Sequence, residues 1–308
     1  MEPVRRSYQD ENDYWRIRAF LREVFLRNRR LERSWHVARL DYWRWHFIKN
    51  CQICDPVEKV TSIWEAAGGQ MVAVLHPVAM GEAFLHVHPD HRSAELESEM
   101  VTFAEQHLSS RSEDGQRSLY ILADRDDALR QDILLDRGYA RVGEPVHHWW
   151  RDLDDSLPEP QVVPEYAIRS MGDVDEFPAR SWASWRAFHP DEADDQYEGW
   201  DWYLNIQSAP LYRRDLDIVA ATNSGEIAAF CTIWFDDVTR SAVCVLVGTI
   251  PEHQRRGLGK AVMYEGLRRL KDMGGTRAFA NAYDPPADAL YGAVLGTRAL
   301  SDRWFKRF

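Results

Sequence analysis

The same order of elements can be read twice along this chain, and that repetition limits the fold more than any single motif. Each half opens on a short strand pattern, Val4–Ser7 and Tyr166–Ser170. Each continues into helical, aromatic-rich stretches. In the first, Tyr14, Ile17, Leu21, Val24 and Phe25 fall at helical spacing after the N-cap candidates Asp10 to Asp13, and LDYWRWHF follows at 40–47. In the second, SWASWRAF at 181–188 and EGWDWYL at 198–204 take these places. Strands joined by tight turns come next, Ala67-Gly68-Gly69-Gln70 in one half and Asn223-Ser224-Gly225-Glu226 in the other. A strand ending in proline (Pro89, Pro251), a long helix, a strand and a short helix complete each half. The closing strands are HHWWRDL at 147–153 and DRWFKRF at 302–308. The order β-αα-βββ-α-β-α-β, written twice, predicts two α/β domains of one kind.

The boundary falls in 151–164, RDLDDSLPEPQVVP, where three prolines and four acids suit an exposed connector. The expected domains are 1–155 and 162–308. A length of 308 residues accommodates both. Hydrophobic residues make up 45% and charged residues 28%, which is a globular balance. No apolar run is long enough to span a bilayer, and the N-terminus lacks the apolar stretch of a secretory signal. Four cysteines do not make a disulfide framework. A soluble, cytoplasmic protein without a membrane partner is expected.

The net charge of −11 weighs against nucleic acid as a partner. The first 50 residues hold 12 Lys/Arg against 7 Asp/Glu, a net of +5 that leaves −16 on the remainder. The expectation is that this basic segment is solvated or docks on acids of the same chain.

The chemistry is concentrated in 243–274, VCVLVGTIPEHQRRGLGKAVMYEGLRRLKDMG. An apolar strand stops at Pro251. The loop then offers Gln254-Arg255-Arg256-Gly257-Leu258-Gly259-Lys260, with a helix from about Leu258 closed by Gly274. Two glycines at a strand-to-helix junction let backbone N–H groups approach a ligand, and the helix start adds a positive dipole end. Three cations add charge. This is a pyrophosphate cradle. It is neither a Walker loop nor a dinucleotide fingerprint, because the Gly-Lys-Ser/Thr ending and the third glycine are missing.

The segment resembles the GCN5-related N-acetyltransferase superfamily, whose signature at this place is Gln/Arg-x-x-Gly-x-Gly/Ala. The resemblance continues at Asp284-Pro285-Pro286-Ala287-Asp288-Ala289-Leu290-Tyr291. This matches the superfamily's Asn-x-x-Ala-x-x-Leu-Tyr with Asp for Asn. The chain is thus expected to be a tandem member of that superfamily, each domain a mixed, mostly antiparallel sheet flanked by helices. The resemblance implies acetyl-CoA as cosubstrate, with no metal. Val247, Gly248 and Thr249 would pair with the pantetheine arm and supply an oxyanion N–H. Gln254, Arg255, Arg256, Gly257, Leu258, Gly259 and Lys260 would hold the pyrophosphate. Tyr291 would protonate the departing thiolate. The spacing after Tyr291 carries one extra position before Gly296, and Thr297 stands where Phe is common.

No base is assigned. The strand SAVCVLVGTI carries no acid, and Glu252, His253 and the acids of 191–201 are the nearby candidates. In the first half, FLHVHPDHRSAELESEM at 84–100 aligns Pro89 with Pro251, placing Glu95 and Glu97 where Gly257 and Gly259 stand. Two carboxylates there would repel a pyrophosphate, and Leu134 falls in the tyrosine slot. The first domain is expected to keep the fold and lack the site.

The acceptor side of the second half has no Lys or Arg between Arg186 and Arg213, six acids (Asp191, Glu192, Asp194, Asp195, Glu198, Asp201), and Trp182, Trp185, Trp200 and Trp202. Acids with tryptophans suit a small cationic amine. An acidic loop with core tryptophans reads equally well. The competing class is a non-catalytic acyl-CoA sensor or scaffold, and a peptide, sugar amine or mycothiol-like acceptor is a further alternative. A monomer or a homodimer is expected. Cys51-x-x-Cys54 near His46, and His86, His88 and His91, are weaker signals, read as structural or chance clusters.

Overall fold

The computed structural model describes residues 2–154, 156–161 and 163–308. Residues 155 and 162, which bound the two expected domains, lie outside the described residues. The chain forms two compact units. One comprises residues 1–148 and 299–308, the other Trp149–Arg298.

The first unit runs β1 (Val4–Ser7), α1 (Glu11–Arg27), α2 (Val37–Tyr42), α3 (Val57–Val60), β2 (Ser62–Glu65), β3 (Met71–Ala79), β4 (Glu82–Val87), α4 (Ala94–His107), β5 (Ser110–Arg111), β6 (Arg117–Asp124), α5 (Ala128–Asp136) and most of β7 (Ala140–Asp152). The second holds the end of β7, then β8 (Tyr166–Ser170), α6 (Phe177–Phe188), α7 (Asp201–Gln207), β9 (Asp217–Thr222), β10 (Ile227–Asp236), β11 (Ser241–Thr249), α8 (Leu258–Asp272), β12 (Arg277–Ala282) and α9 (Pro285–Val294). The last strand, β13 (Thr297–Arg307), belongs largely to the first unit. The order β-αα-βββ-α-β-α-β recurs in both, with α3 and β5 as additions to the first.

Local chemistry explains the elements. Asp10 caps α1 by accepting from Asn12 N–H, and Glu11 and Asp13 face the positive dipole end. Tyr14, Ile17, Leu21, Val24 and Phe25 form its buried stripe. Every residue of β10 is buried, as a central strand covered on both faces requires. The basic N-terminal segment is neutralised within the chain: Arg6 pairs with Asp13, Arg16 with Glu65, Arg18 with Asp41 and Arg39 with Glu32.

In the first unit the strand order is β1-β2-β3-β4-β6-β13. In the second it is β12-β11-β10-β9-β8, all antiparallel except β11 beside β12. The closing strands do not follow the boundary expected at 155 and 162. Residues 301–307 of β13 pair antiparallel with 118–124 of β6, and Trp304 is buried in the first unit's core. Trp149, from the closing strand of the first repeat, is buried in the second unit's core with Tyr291 and Val294. Each core is completed by the aromatic strand that ends the other repeat.

Candidate functional site

Three irregularities converge where β11 leads into α8. The first is a bulge. Cys231 opposes Val247 and Ile233 opposes Cys244, so two steps on β10 match three on β11. Leu246 absorbs the extra residue with φ +65°, a left-handed conformation that costs a leucine on the order of 1 kcal/mol. The second is a splay. The parallel register of β11 with β12 covers only Ser241–Arg277, Ala242–Ala278 and Val243–Phe279. Past Val243, no register partner on β12 is found for β11 among the described residues, so the edge carrying Val247, Gly248 and Thr249 opens.

The third is an uncapped helix start. A short turn at Pro251–His253 leads through Arg255 (φ +64°) to Gly257 (φ +80°), the residue before α8. No side chain caps α8 among the described residues. Its first-turn N–H groups therefore face outward, and a β-carbon at Gly257 would meet nothing within 4 Å. By contrast, α9 is capped by Asp284, which accepts from Ala287 N–H at 2.8 Å. Gln254, Arg255, Arg256 and Lys260 are exposed around the opening, and Leu258 is buried beneath it. No carboxylate pairs with Arg255, Arg256 or Lys260 among the described residues. Arg256 Nη1 donates to Tyr166 Oη at 2.9 Å, Tyr166 Oη meets His253 Nδ1 at 2.7 Å, and His253 Nε2 lies 3.3 Å from Glu226. Gln254 is turned back to Thr249 O at 3.2 Å.

Behind the open edge, the backbone of Gly248 is backed by Phe230 and Ala187. The Arg180 guanidinium sits 3.8 Å over the Phe230 ring. Arg180 is fully buried. Its Nε donates to Asp217 at 3.1 Å and Nη2 to Thr232 at 3.0 Å. Tyr203 and Tyr212 also donate to Asp217, and burial with that carboxylate raises both phenols above the ordinary tyrosine range. Asp217 is thus fully committed and is no free base. Sequence reasoning missed this network and the Leu246 bulge. The one available signal was Gly248 inside a strand, which marks close approach.

Tyr291 lies on α9 at 8% exposure, among Trp149, Val294 and Leu295 of the second core. The six acids at 191–201 are all exposed. Beside them Trp182, Trp185, His189 and Tyr197 form a half-buried aromatic group: Trp182 and Trp185 are 5.3 Å apart, and Trp185 stacks on His189 at 5.5 Å. Arg186 ties this loop to the cradle turn, donating to Pro190 O at 2.7 Å and to Glu252 at 3.1 Å. Glu252 and His253 are therefore both engaged.

The equivalent place in the first unit is closed from within. Ser93 Oγ caps α4 by accepting from Leu96 N–H at 3.2 Å. Only Glu95 faces solvent, which corrects the expectation that both carboxylates point outward. Glu97 is fully buried, accepting from Arg92 Nε at 2.6 Å and Arg130 Nε at 2.9 Å, because two guanidinium groups compensate its desolvation.

Of the weaker signals, His46 Nε2 lies 3.6 Å from Cys51 Sγ, and burial pushes the Cys54 thiol up to about 11, away from a reactive thiolate. No group of three or more His, Cys, Asp or Glu side chains is placed to hold a metal among the described residues. Nor is any helix among them long and apolar enough to cross a membrane.

Comparison with known proteins agrees with this geometry. The sequence profile of the acetyltransferase (GNAT) family matches residues 175–296. No curated protein sequence matches the chain significantly. Among solved structures, a GCN5-related N-acetyltransferase from Sphaerobacter thermophilus superposes with a TM-score of 0.65 at 15% identity, covering 99% of this chain and 95% of its own. A tandem GNAT protein from the clavulanic acid biosynthesis pathway gives 0.63 at 15%, covering 99% and 98%. An acetyltransferase of the GNAT family from Colwellia psychrerythraea gives 0.61 at 12%, covering 98% and 100%. At such identities these neighbours speak for the fold. Residues 175–296, which hold the bulged strand, the loop and its helix, thus match the acetyltransferase (GNAT) family, and the chain as a whole has the fold of tandem GNAT proteins.

Proposed function

We propose that the chain is an acetyl-CoA-dependent N-acetyltransferase with one donor site, in the second unit, acting directly on a small cationic amine. The observation that carries this reading is the unbroken run from the Leu246 bulge through the open strand edge to the uncapped start of α8. These residues fit the donor: an open glycine, a helix start without a side-chain cap and three cations without an acid partner, among the described residues, suit a pyrophosphate. Gln254, Arg255, Arg256, Gly257, Leu258, Gly259 and Lys260 would hold it, and Val247, Gly248 and Thr249 would lie along the pantetheine arm. Bound acetyl-CoA supplies an acetyl thioester. A backbone N–H of 247–249 would donate to the oxyanion developing on its carbonyl, a large electrostatic contribution to rate. Tyr291 would hold a proton for the leaving sulfur, which is modest help for a thiol with a pKa near ~8.5.

The acceptor reading rests on the exposed acids beside the aromatic group of Trp182, Trp185, His189 and Tyr197. Carboxylates raise the local concentration of a cation, and ring faces attract it at close range. The first unit, capped by Ser93 and filled by Glu97, supplies fold and no donor site. Four cysteines, none bonded to another, fit a reducing cytoplasm.

One observation favours a second reading, a non-catalytic acyl-CoA sensor or scaffold. Glu252 is held by Arg186, and His253 by Tyr166 and Glu226, which leaves no assigned base. Release of CoA thiol during incubation with acetyl-CoA and a panel of amines separates the two. Polyamines, aminoglycosides or lysine-like amines should be acetylated in preference to neutral and carboxylated acceptors. Transfer only to a thiol or hydroxyl would refute the amine, and tight donor binding without transfer to any acceptor would favour the sensor.

A further inference from the structure

An alkyl ammonium with a pKa near ~10.4 must lose a proton before its nitrogen can attack a carbonyl. Glu252 and His253 are engaged elsewhere, and the end of α6 brings a different group to the open strand edge. Three successive residues there touch the donor side. Arg186 donates to Glu252, in the turn before α8, at 3.1 Å. Ala187 lies against Gly248, where a β-carbon on the glycine would come within 3.0 Å of Ala187 Cβ. The Phe188 ring is 6.1 Å from that of Phe230, the ring that backs Gly248. His189 follows directly, as the residue that closes the helix.

Two contacts fix the His189 ring. Nδ1 lies 2.9 Å from Trp185 O, and a carbonyl oxygen only accepts, so Nδ1 carries the hydrogen. The ring also stacks on the Trp185 indole, with the two planes 16° apart. In the neutral imidazole Nε2 is then a bare lone pair. It has no hydrogen-bond partner among the described residues, and the side chain is half-buried. His253 differs, because both of its ring nitrogens face partners, Tyr166 and Glu226. The other charged and titratable groups around this helix end are Arg186 and Glu252, which hold each other, and Tyr197, whose Oη donates to Ser181 Oγ at 2.7 Å. Glu192 N–H donates to His189 O at 3.3 Å, which puts the exposed acids Asp191 and Glu192 in the same turn. Nearby carboxylates favour the protonated form of an imidazole.

We infer that His189 Nε2 is the base that takes the proton of the acceptor ammonium. The freed nitrogen forms its bond to the thioester carbonyl carbon, and the carbon–sulfur bond breaks. The sulfur takes the proton held by Tyr291. The second proton leaving the amine nitrogen restores Tyr291 through water, and His189 returns its own proton to solvent. The inference rests on the N-acetyltransferase reading above and supplies the base that this reading lacks.

The test compares the full wild-type chain with His189→Asn and His189→Gln, with acetyl-CoA as donor and spermidine, kanamycin and cadaverine as acceptors. Release of CoA thiol is followed across pH. Either amide removes the basic nitrogen and keeps a polar side chain at the helix end. Acetyl-CoA affinity, read by calorimetry, should stay within about twofold in both variants. For the amine that the wild-type chain prefers, kcat/KM should fall about 10²-fold at about pH 7. The deficit should narrow as pH rises, because at about pH 9.5 roughly a tenth of an alkyl amine is already free base. A packing role would give a deficit that does not change with pH. That result, or full activity in both variants, would overturn the inference and leave the N-acetyltransferase reading intact. So would loss of acetyl-CoA affinity in both variants, which would make His189 part of the donor wall. No transfer by the wild-type chain to any of the three amines would overturn the amine reading and the inference together.

Discussion

The Phe230 ring lies so close to Gly248 that a β-carbon on the glycine would come within 2.5 Å of Cζ and 3.0 Å of Ala187 Cβ. The ring has nowhere to retreat, because the Arg180 guanidinium covers it at 3.8 Å and Asp217 holds that arginine. Gly248→Ala must therefore move β11. Overpacking of this kind costs about 1–3 kcal/mol, and the displaced edge is the one proposed to meet the donor. Chemical denaturation should show that loss, and acetyl-CoA affinity should fall about tenfold or more. An alanine variant with wild-type stability and affinity would show that the close packing at Gly248 has no bearing on the site.

Ser93 holds before α4 the N-cap place that Gly257 holds before α8, and Glu97 is buried in the first turn that follows. Glu97→Gln keeps the shape and removes the charge, leaving Arg92 and Arg130 to share fewer acids. Breaking one partner of a buried pair costs about 3–5 kcal/mol. Urea unfolding at neutral pH should register that loss, with the donor stoichiometry unchanged. A cost below about 1 kcal/mol would mean that the pair is not what closes the first unit's cradle.

His76 and His86 meet at 2.9 Å between their Nε2 atoms, both fully buried. The partners fix the tautomers. His76 Nδ1–H donates to Pro77 O, and Trp35 N–H donates to His86 Nδ1, so His86 Nε2–H donates to His76 Nε2. Burial lowers His76 to about 4 and places His86 well below its usual value. Both are neutral in the fold and gain protons near ~6.5 when unfolded. Acidification from 6.5 towards 4 thus favours the unfolded chain, by about 3 kcal/mol for His76 alone. Melting temperature should fall through that window, and His76→Leu should flatten the dependence. A profile unchanged by that substitution would contradict neutral burial of the pair.

Tyr291→Phe separates the two functional readings. The phenylalanine keeps the ring that packs with Trp149, Val294 and Leu295 and removes only the hydroxyl. Turnover should fall about 10²-fold, the lower end of a general acid's contribution, while donor affinity stays within about twofold. Full activity in the phenylalanine variant would return Tyr291 to a packing role.

What the sequence shows depends on how local each decision is. Val4–Ser7, Tyr166–Ser170 and the start of α8 at Leu258 are legible because turns, caps and glycines lie within a few residues of them. The destination of the closing strands is not. HHWWRDL and DRWFKRF alternate equally well for either core, and the free edge of β6, far away in sequence, decides where Trp304 goes. Leu246 gives no warning either, because leucine has no preference for the left-handed region and the bulge is imposed by the pairing with β10. Glu97 reads as a solvent-facing acid until Arg130, 33 residues on, is brought to it. The connector reads as a spacer from its prolines, and only the fold brings its Glu159 to Arg268 of α8.

The most direct measurement of the central claim is calorimetric titration of the full chain with acetyl-CoA, read for stoichiometry. The account predicts one site per chain, abolished by Gly257→Glu and retained in Glu97→Gln. Two sites per chain, or none, would contradict it.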